Sequence, residues 1–270
     1  MTTIRRLLVL ALVSILLVGC ATSPTGRRQL MLVSEQSSIV SSKEAYLSTV
    51  NELDQAGKIE EDRAIIARVN TITGRLITEA IKMRPDPASW EWSVVVIDDP
   101  KMVNAWCMAG GRMAIYTGLL EQIQPTDDEL AQVMGHEISH ALAKHTAEKM
   151  SMQMATAVGV AAVGIASDNT GVALTGAALT AMLVVNLPNS RAAEKEADRI
   201  GIELAAKAGY DPKAAATLWQ KMGATSKSST PQFLSTHPAP ENRQEKLAKL
   251  ATKMAPYYQP DADHPVYPLH

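Results

Sequence analysis

The sequence predicts an α+β fold that is mainly helical, with a small sheet. Three observations carry this. Apolar residues recur at helical spacing through most of the chain between residues 35 and 254. Two short runs, Trp92 to Ile97 and Arg112 to Thr117, read as strands, with the Gly110-Gly111 turn between them. One helical stretch carries His136-Glu137-Ile138-Ser139-His140, so the fold has to present two imidazoles from one helix face. With 270 residues, 46% of them hydrophobic, the chain can bury one substantial core, and a single domain is expected.

Taken in order, Arg5 and Arg6 precede an apolar stretch from Leu7 to Val18, the layout of a signal peptide. The stretch is short of the ~20 apolar residues a spanning helix needs. It ends in Leu17-Val18-Gly19-Cys20, which resembles a bacterial lipobox, implying cleavage before Cys20 and lipid on its sulfur. Ala21 follows, and by resemblance to other lipoproteins this favours the outer membrane of a Gram-negative envelope. The expected organisation is a signal peptide over 1–19 and a lipidated Cys20 with a polar tether over 20–34. A catalytic domain over 35–254 and a proline-rich tail over 255–270 complete it.

Two helices are expected next, Glu35 to Ala56 and Glu60 to Met83, the second with Ile65, Ile66, Val69, Ile72, Leu76 and Ile77 on a helical period. Arg84-Pro85-Asp86-Pro87 breaks the pattern before the strands. Cys20 and Cys107 are the two cysteines. With Cys20 lipidated no internal disulfide is possible, and Cys107 reads as a buried structural thiol. Thr126, followed by Asp127, Asp128 and Glu129, marks a helix start, and the pattern continues to Lys149. Met154 to Leu187 is rich in small residues and interrupted at Ser167-Asp168-Asn169-Thr170. It predicts two closely packed helices, each too short to span a bilayer. Helices are expected over Arg191–Lys207, from Tyr210-Asp211-Pro212 onward, and over Glu241–Met254. The tail from Pro256 is expected to lack regular structure, with His264 and His270 as bystanders.

H-E-x-x-H on a helix is half a zinc site plus a general base. Positions four apart share a face, so His136 and His140 reach one metal, and Glu137 stands beside the first ligand. Catalytic zinc takes a third protein ligand. His145 lies nine residues past His136, about 180° around a continuing helix, and is expected to face away as a surface or packing histidine. Ala143 and Thr146 exclude the longer H-E-x-x-H-x-x-G-x-x-H pattern. The better third ligand is Glu194. Asp198, four residues on, shares its face and can accept the free N–H of a ligand histidine, whereas Glu196 points elsewhere.

Three motifs together, His136-Glu137-x-x-His140, Glu194-x-Glu196-Ala-Asp198-Arg-x-Gly201 and His237-Pro238-x-x-x-x-Arg243, resemble the HtpX/CAAX-prenyl-protease family of zinc metallopeptidases, of gluzincin type. The likeness covers roughly residues 30 to 250 and is strongest toward bacterial periplasmic lipoprotein members. Asn104 to Gly111 resembles the family's N-A-F-x-x-P-G-G stretch, with Ala109 in place of its proline. The resemblance implies a zincin-like domain with a small sheet beside the motif helix. It also implies one Zn2+ per chain, held by His136, His140 and Glu194, with Glu137 as base. Asp198 would orient a ligand histidine. His237 would stabilise the oxyanion or plug the fourth zinc position, and Arg243 would neutralise charge or brace the loop. An edge strand, Gly110, Gly111, Arg112, Met113 and Ala114, would pair with an extended substrate. The implied function is a zinc endopeptidase clearing misfolded or misassembled envelope proteins. The alternative is a zinc-bearing periplasmic chaperone whose protease activity is latent behind His237. The formal charge of −2, becoming −4 once Arg5 and Arg6 are removed, and the lack of a basic stripe point away from nucleic acid.

Overall fold

A computed structural model describes residues 20–166, 187–225, 231–237 and 242–269. The expected signal peptide over 1–19, the Ser167–Thr170 break with the second half of the small-residue stretch, Pro238 and His270 lie outside the described residues.

The described residues open with a hairpin of two short antiparallel strands, β1 (Cys20–Thr22) and β2 (Arg28–Leu30). This corrects the expected tether over 20–34. Arg27 is drawn inward by two buried carboxylates, and Gln29 is itself buried. Helix α1 (Glu35–Gln55) follows, its N-terminus capped by Ser34. Helix α2 (Arg63–Met83) starts three residues later than expected, capped by Asp62, whose carboxylate accepts from the amides of Ala64 and Ile65. A 3-10 turn over Asp86–Ser89 then leads into the sheet.

The sheet has three strands, β3 (Ser93–Ile97), β4 (Ala105–Met108) and β5 (Arg112–Tyr116), in the order β3-β5-β4. β3 runs parallel to β5, and β4 pairs antiparallel with it through the Gly110-Gly111 turn. Both glycines sit at positive φ, 87° and 81°, and a Cβ on Gly111 would stand 2.4 Å from the Trp92 ring. The strand expected at the edge, Arg112 to Ala114, is the middle one. Its main chain is bonded on both sides and Gly110 through Ala114 are all buried, so it has no free edge to offer a substrate. The outer side of β3 is met by Lys58–Glu60, with Glu60 N–H to Val96 O at 2.9 Å and Asp98 N–H to Lys58 O at 2.8 Å. The edge that faces the motif helix is β4.

After the short helix α3 (Thr117–Ile123) comes α4 (Asp127–Leu142), which carries the motif. Its start is a reciprocal capping box. Thr126 Oγ1 accepts from Glu129 N–H at 3.2 Å, and Glu129 Oε2 accepts from Thr126 N–H at 2.9 Å. α4 is buried along nearly its whole length, between α2 and the sheet on one side and α6 (Leu187–Lys207) on the other. Leu76, Ile77, Met113, Ile115, Leu130, Met134 and Ile138 form the centre of the core around it. The expected continuous helix to Lys149 is in fact two. α4 ends at Leu142, Lys144 takes φ 59°, and a separate helix, α5 (His145–Ala166), follows. Helices α7 (Ala214–Thr225), α8 (Gln232–Thr236) and α9 (Arg243–Met254) complete the domain, with a small second core of Ile202, Ala206, Ala215, Leu247 and Met254.

The tail has one 3-10 turn, Ala255–Tyr257, and otherwise no helix or strand as far as residue 269. It is nonetheless pinned to α2, with Tyr267 N–H to Gly74 O at 3.1 Å and Thr78 Oγ1 to Pro265 O at 2.9 Å. His264 packs on Gly209. Among the described residues no helix is long and apolar enough to cross a membrane.

Candidate metal centre

α4, α6 and the turn after α8 bring His136, His140, Glu194 and His237 together, with one donor atom of each within 4.8 Å of the others. His136 Nε2 lies 3.1 Å from His140 Nε2, 3.2 Å from His237 Nδ1 and 3.4 Å from Glu194 Oε2. Glu194 Oε1 is 3.4 Å from His140 Nε2 and 3.1 Å from His237 Nδ1.

The close approach of α4 and α6 sets these distances. Gly135 and Gly201 meet at the helix crossing, and a Cβ on Gly201 would lie 2.8 Å from the backbone nitrogen of His136. Glu194, Asp198 and Gly201 follow one another at i, i+4 and i+7, so the face that touches α4 is also the face that bears the carboxylates.

The second nitrogen of each motif histidine has its own partner. Asp198 Oδ1 is 3.2 Å from His136 Nδ1, and Arg243 Nη2 holds that oxygen at 2.5 Å. Arg243 also donates to the His237 carbonyl at 3.2 Å, stands 3.6 Å from Glu194 and stacks on the Trp219 ring at 3.9 Å. It is only 4% exposed, held between the loop that carries His237 and the carboxylates of Glu194 and Asp198. His140 Nδ1 faces His145 Nδ1 at 2.9 Å, and His145 Nε2 faces Glu196 Oε2 at 3.2 Å. The expectation that His145 faces away fails because the helix stops before it; Glu196 points away from the cluster, as expected, and is buried against His145.

Electrostatics follow from burial and these contacts. Burial works against charge on His136, but Asp198 and Glu194 outweigh it and raise the metal-free imidazole to about 9. Glu194, despite burial, is held well below the usual carboxylate range by hydrogen bonds from His136 and His237, so it is ionised. Burial and then the neighbouring charge of His136 push His140 down. Burial pushes Glu137 up, offset only in part by His237 and His136.

The donor set fits zinc. With each Nδ1 turned to an outer partner, both Nε2 atoms aim lone pairs at one point beside an ionised carboxylate. Tetrahedral bonds of ~2.0–2.1 Å would space ligand atoms about 3.3 Å apart, close to the 3.1–3.4 Å seen. Glu137 Oε1 is buried at this point with no hydrogen-bond partner, its nearest basic neighbour being His237 Nε2 at 3.3 Å. A cleft of about 700 Å3 opens onto the cluster, lined by Trp106, Cys107, Glu137, His140, His145 and His237 among others. Cys107, expected as a buried structural thiol, is half-buried and faces this cleft.

A model of peptidase family M48 matches residues 66–251 of the chain. The chain is 38% identical over 158 residues to mitochondrial metalloendopeptidase OMA1 of Arabidopsis thaliana, covering 58% of this chain and 31% of the relative. Against the mitochondrial metalloendopeptidase OMA1 of Bos taurus it is 32% identical over 238 residues, covering 84% of this chain and 45% of the relative. Against the beta-barrel assembly-enhancing protease of Escherichia coli (strain K12) it is 28% identical over 217 residues, covering 77% and 43%. The chain thus spans about a third to a half of the length of these relatives.

Proposed function

The chain belongs to peptidase family M48, a family of zinc metallopeptidases, and on that footing we propose that it is a zinc-dependent endopeptidase of the bacterial envelope, acting on misfolded or misassembled envelope proteins. The observation that carries the chemistry is the convergence of His136, His140 and Glu194 on one point with Glu137 beside it. Support for the envelope is the lipobox-like Leu17-Val18-Gly19-Cys20 and the likeness to a protease named for β-barrel assembly. The proposed organisation is a signal peptide over 1–19, lipid on Cys20 and a peptidase domain that takes in the following hairpin.

In this reading His136, His140 and Glu194 hold the metal. Bound there, zinc would act as a Lewis acid and lower the pKa of a water toward 7. Glu137 takes the proton from the attacking water and passes it to the leaving amine. Asp198 and His145 keep the ligand rings aimed. An extended substrate lies along β4, the strand whose edge faces α4 and whose Trp106 and Cys107 line the cleft. Main-chain pairing of this kind gives affinity with little sequence preference, which suits unfolded substrates.

A second reading has one observation in its favour. His237 Nδ1 stands among the would-be ligands, where a fourth protein donor would close the site and leave a zinc-bearing assembly factor with latent activity. One assay separates them: cleavage of an unfolded protein such as casein by wild type, Glu137→Gln and His237→Ala, with bound zinc measured in each. The peptidase reading expects wild type to cleave and Glu137→Gln to keep zinc but lose turnover by at least about 100-fold, the low end for a positioned acid–base group. Cleavage by His237→Ala alone would establish the latent form. A wild-type chain that binds no zinc would end both readings.

A further inference from the structure

The residues that hold His140 are not confined to the motif helices. Outward from its ring, His145 Nδ1 is 2.9 Å away and His145 Nε2 is 3.2 Å from Glu196 Oε2. Glu196 then receives the hydroxyls of Ser23 and Thr25, and Arg27 Nε at 2.6 Å. The other two guanidinium nitrogens of Arg27 form a bidentate pair with Glu148 at 2.7 and 2.6 Å. Gln29 Nε2 reaches Glu148 Oε2 at 2.8 Å and the carbonyl of Ala143 at 2.7 Å, closing the end of α4 just past His140. Every one of Ser23, Thr25, Arg27 and Gln29 belongs to the hairpin after Cys20.

Resting on the reading of His140 as a zinc ligand, we propose that this hairpin is a positioning element of the metal centre. Ser23, Thr25 and Arg27 fix Glu196, Glu196 fixes the tautomer of His145, and His145 holds the His140 ring with Nε2 turned to the metal. The donor and acceptor roles admit one consistent chain. His140 needs its Nε2 lone pair for the metal, so its proton is on Nδ1 and is donated to His145 Nδ1. His145 must therefore carry its own proton on Nε2, and only an acceptor at the Glu196 position keeps it there. Without that acceptor His145 can adopt the other tautomer, and two N–H groups then oppose each other 2.9 Å apart. His136 is served directly by Asp198, and His140 by a carboxylate acting through a second imidazole. Two acidic residues of α6, two positions apart, thus support the two motif histidines from different sides.

The test is zinc affinity of the full chain, measured by chelator competition, together with imidazole proton–nitrogen correlation spectra of histidine-labelled protein. The proteins compared are wild type, Glu196→Ala, Glu196→Gln and Arg27→Ala, with Lys221→Ala as a control that loses an ion pair to buried Glu129 away from the metal. Glu196→Gln keeps an acceptor for His145 and Arg27, and its amide can donate to the two hydroxyls. The expected result is a 10–100-fold loss of zinc affinity in Glu196→Ala, a loss in Arg27→Ala, recovery of most of it in Glu196→Gln, and none in Lys221→Ala. The His145 signal should change tautomer in Glu196→Ala alone. Wild-type zinc affinity in Glu196→Ala, or equal weakening in Ala and Gln variants with no tautomer change, would overturn the proposal and leave the zinc reading standing. A wild-type chain without zinc affinity would overturn both.

Discussion

The crossing of α4 and α6 at Gly135 and Gly201 is where the geometry of the metal centre is most exposed to a one-methyl change. In Gly201→Ala the new Cβ would stand 2.8 Å from the backbone nitrogen of His136 and 3.0 Å from its Cα. Both atoms are main chain in the middle of a buried helix and cannot swing aside. Ordinary contact begins at 3.4 Å, so the helices must part by about 0.6 Å. Carried through to Asp198, one turn away on the same face, that would stretch its 3.2 Å contact with His136 toward about 3.8 Å, beyond hydrogen-bond range. Overpacking of this kind costs about 1–3 kcal/mol. Loss of the partner that aims a ligand histidine weakens metal binding roughly 10–100-fold.

The assay is urea unfolding of the metal-free chain alongside zinc competition, with Gly223→Ala as the internal control. Gly223 also lies in a helix, α7, yet a Cβ there meets nothing within 4 Å. That variant should gain about 0.5–1 kcal/mol from helix propensity and bind zinc unchanged. A Gly201→Ala chain with wild-type stability and zinc affinity would refute the argument that this crossing sets the ligand spacing.

Other outcomes follow from single contacts. Thr126→Ala removes one half of the capping box on α4 and should cost about 1 kcal/mol, or roughly 2–4 °C in melting temperature for a chain of this size, read by calorimetry. Zinc affinity should rise with pH. Metal-free His136, raised to about 9, keeps a proton that zinc must expel, so affinity should climb by up to about tenfold per pH unit until near pH 9 and then level. Titration calorimetry in buffers of different ionisation enthalpy would count the proton released. The same shift stabilises the metal-free fold in the opposite sense: the contribution of His136 is fully present below its ordinary value of 6.5 and is lost as pH rises through about 9.

The parts of the site that the sequence discloses are those set by one helix at a time. His136, Glu137 and His140 share a face because a helix repeats every 3.6 residues, and Glu194 and Asp198 share one for the same reason. The pairing of Asp198 with His136 could be anticipated because a ligand imidazole has one nitrogen left over and an acid one turn from the third ligand is placed to take it. Strand order is a different kind of fact. Arg112 to Ala114 and Ala105 to Met108 are adjacent, similarly apolar and joined by a glycine turn. Nothing local says which of them β3 will flank. The parallel pairing of β3 with β5 decides it, and that choice rests on contacts between residues far apart in sequence.

His145 marks the sharper boundary. Leu142-Ala143-Lys144-His145 holds neither glycine nor proline, and each residue is compatible with helix, so periodicity carries the helix straight through. What stops it is remote. The freed carbonyls of Leu142 and Ala143 are taken by Arg84 Nη1 at 2.8 Å and Gln29 Nε2 at 2.7 Å. Lys144, at φ 59°, is tied to Glu35 at 3.0 Å. These partners come from the hairpin, α1 and the end of α2, elements that a reading of the motif helix alone has no reason to consult. A left-handed lysine costs of order 1–3 kcal/mol and persists only where its surroundings over-determine it. Here the surroundings end α4 before His145 and leave its Nδ1 2.9 Å from His140 Nδ1. The strain at Lys144 and the hydrogen bond at His140 Nδ1 are therefore one feature of the fold, and relieving the first by restoring a continuous helix would undo the second.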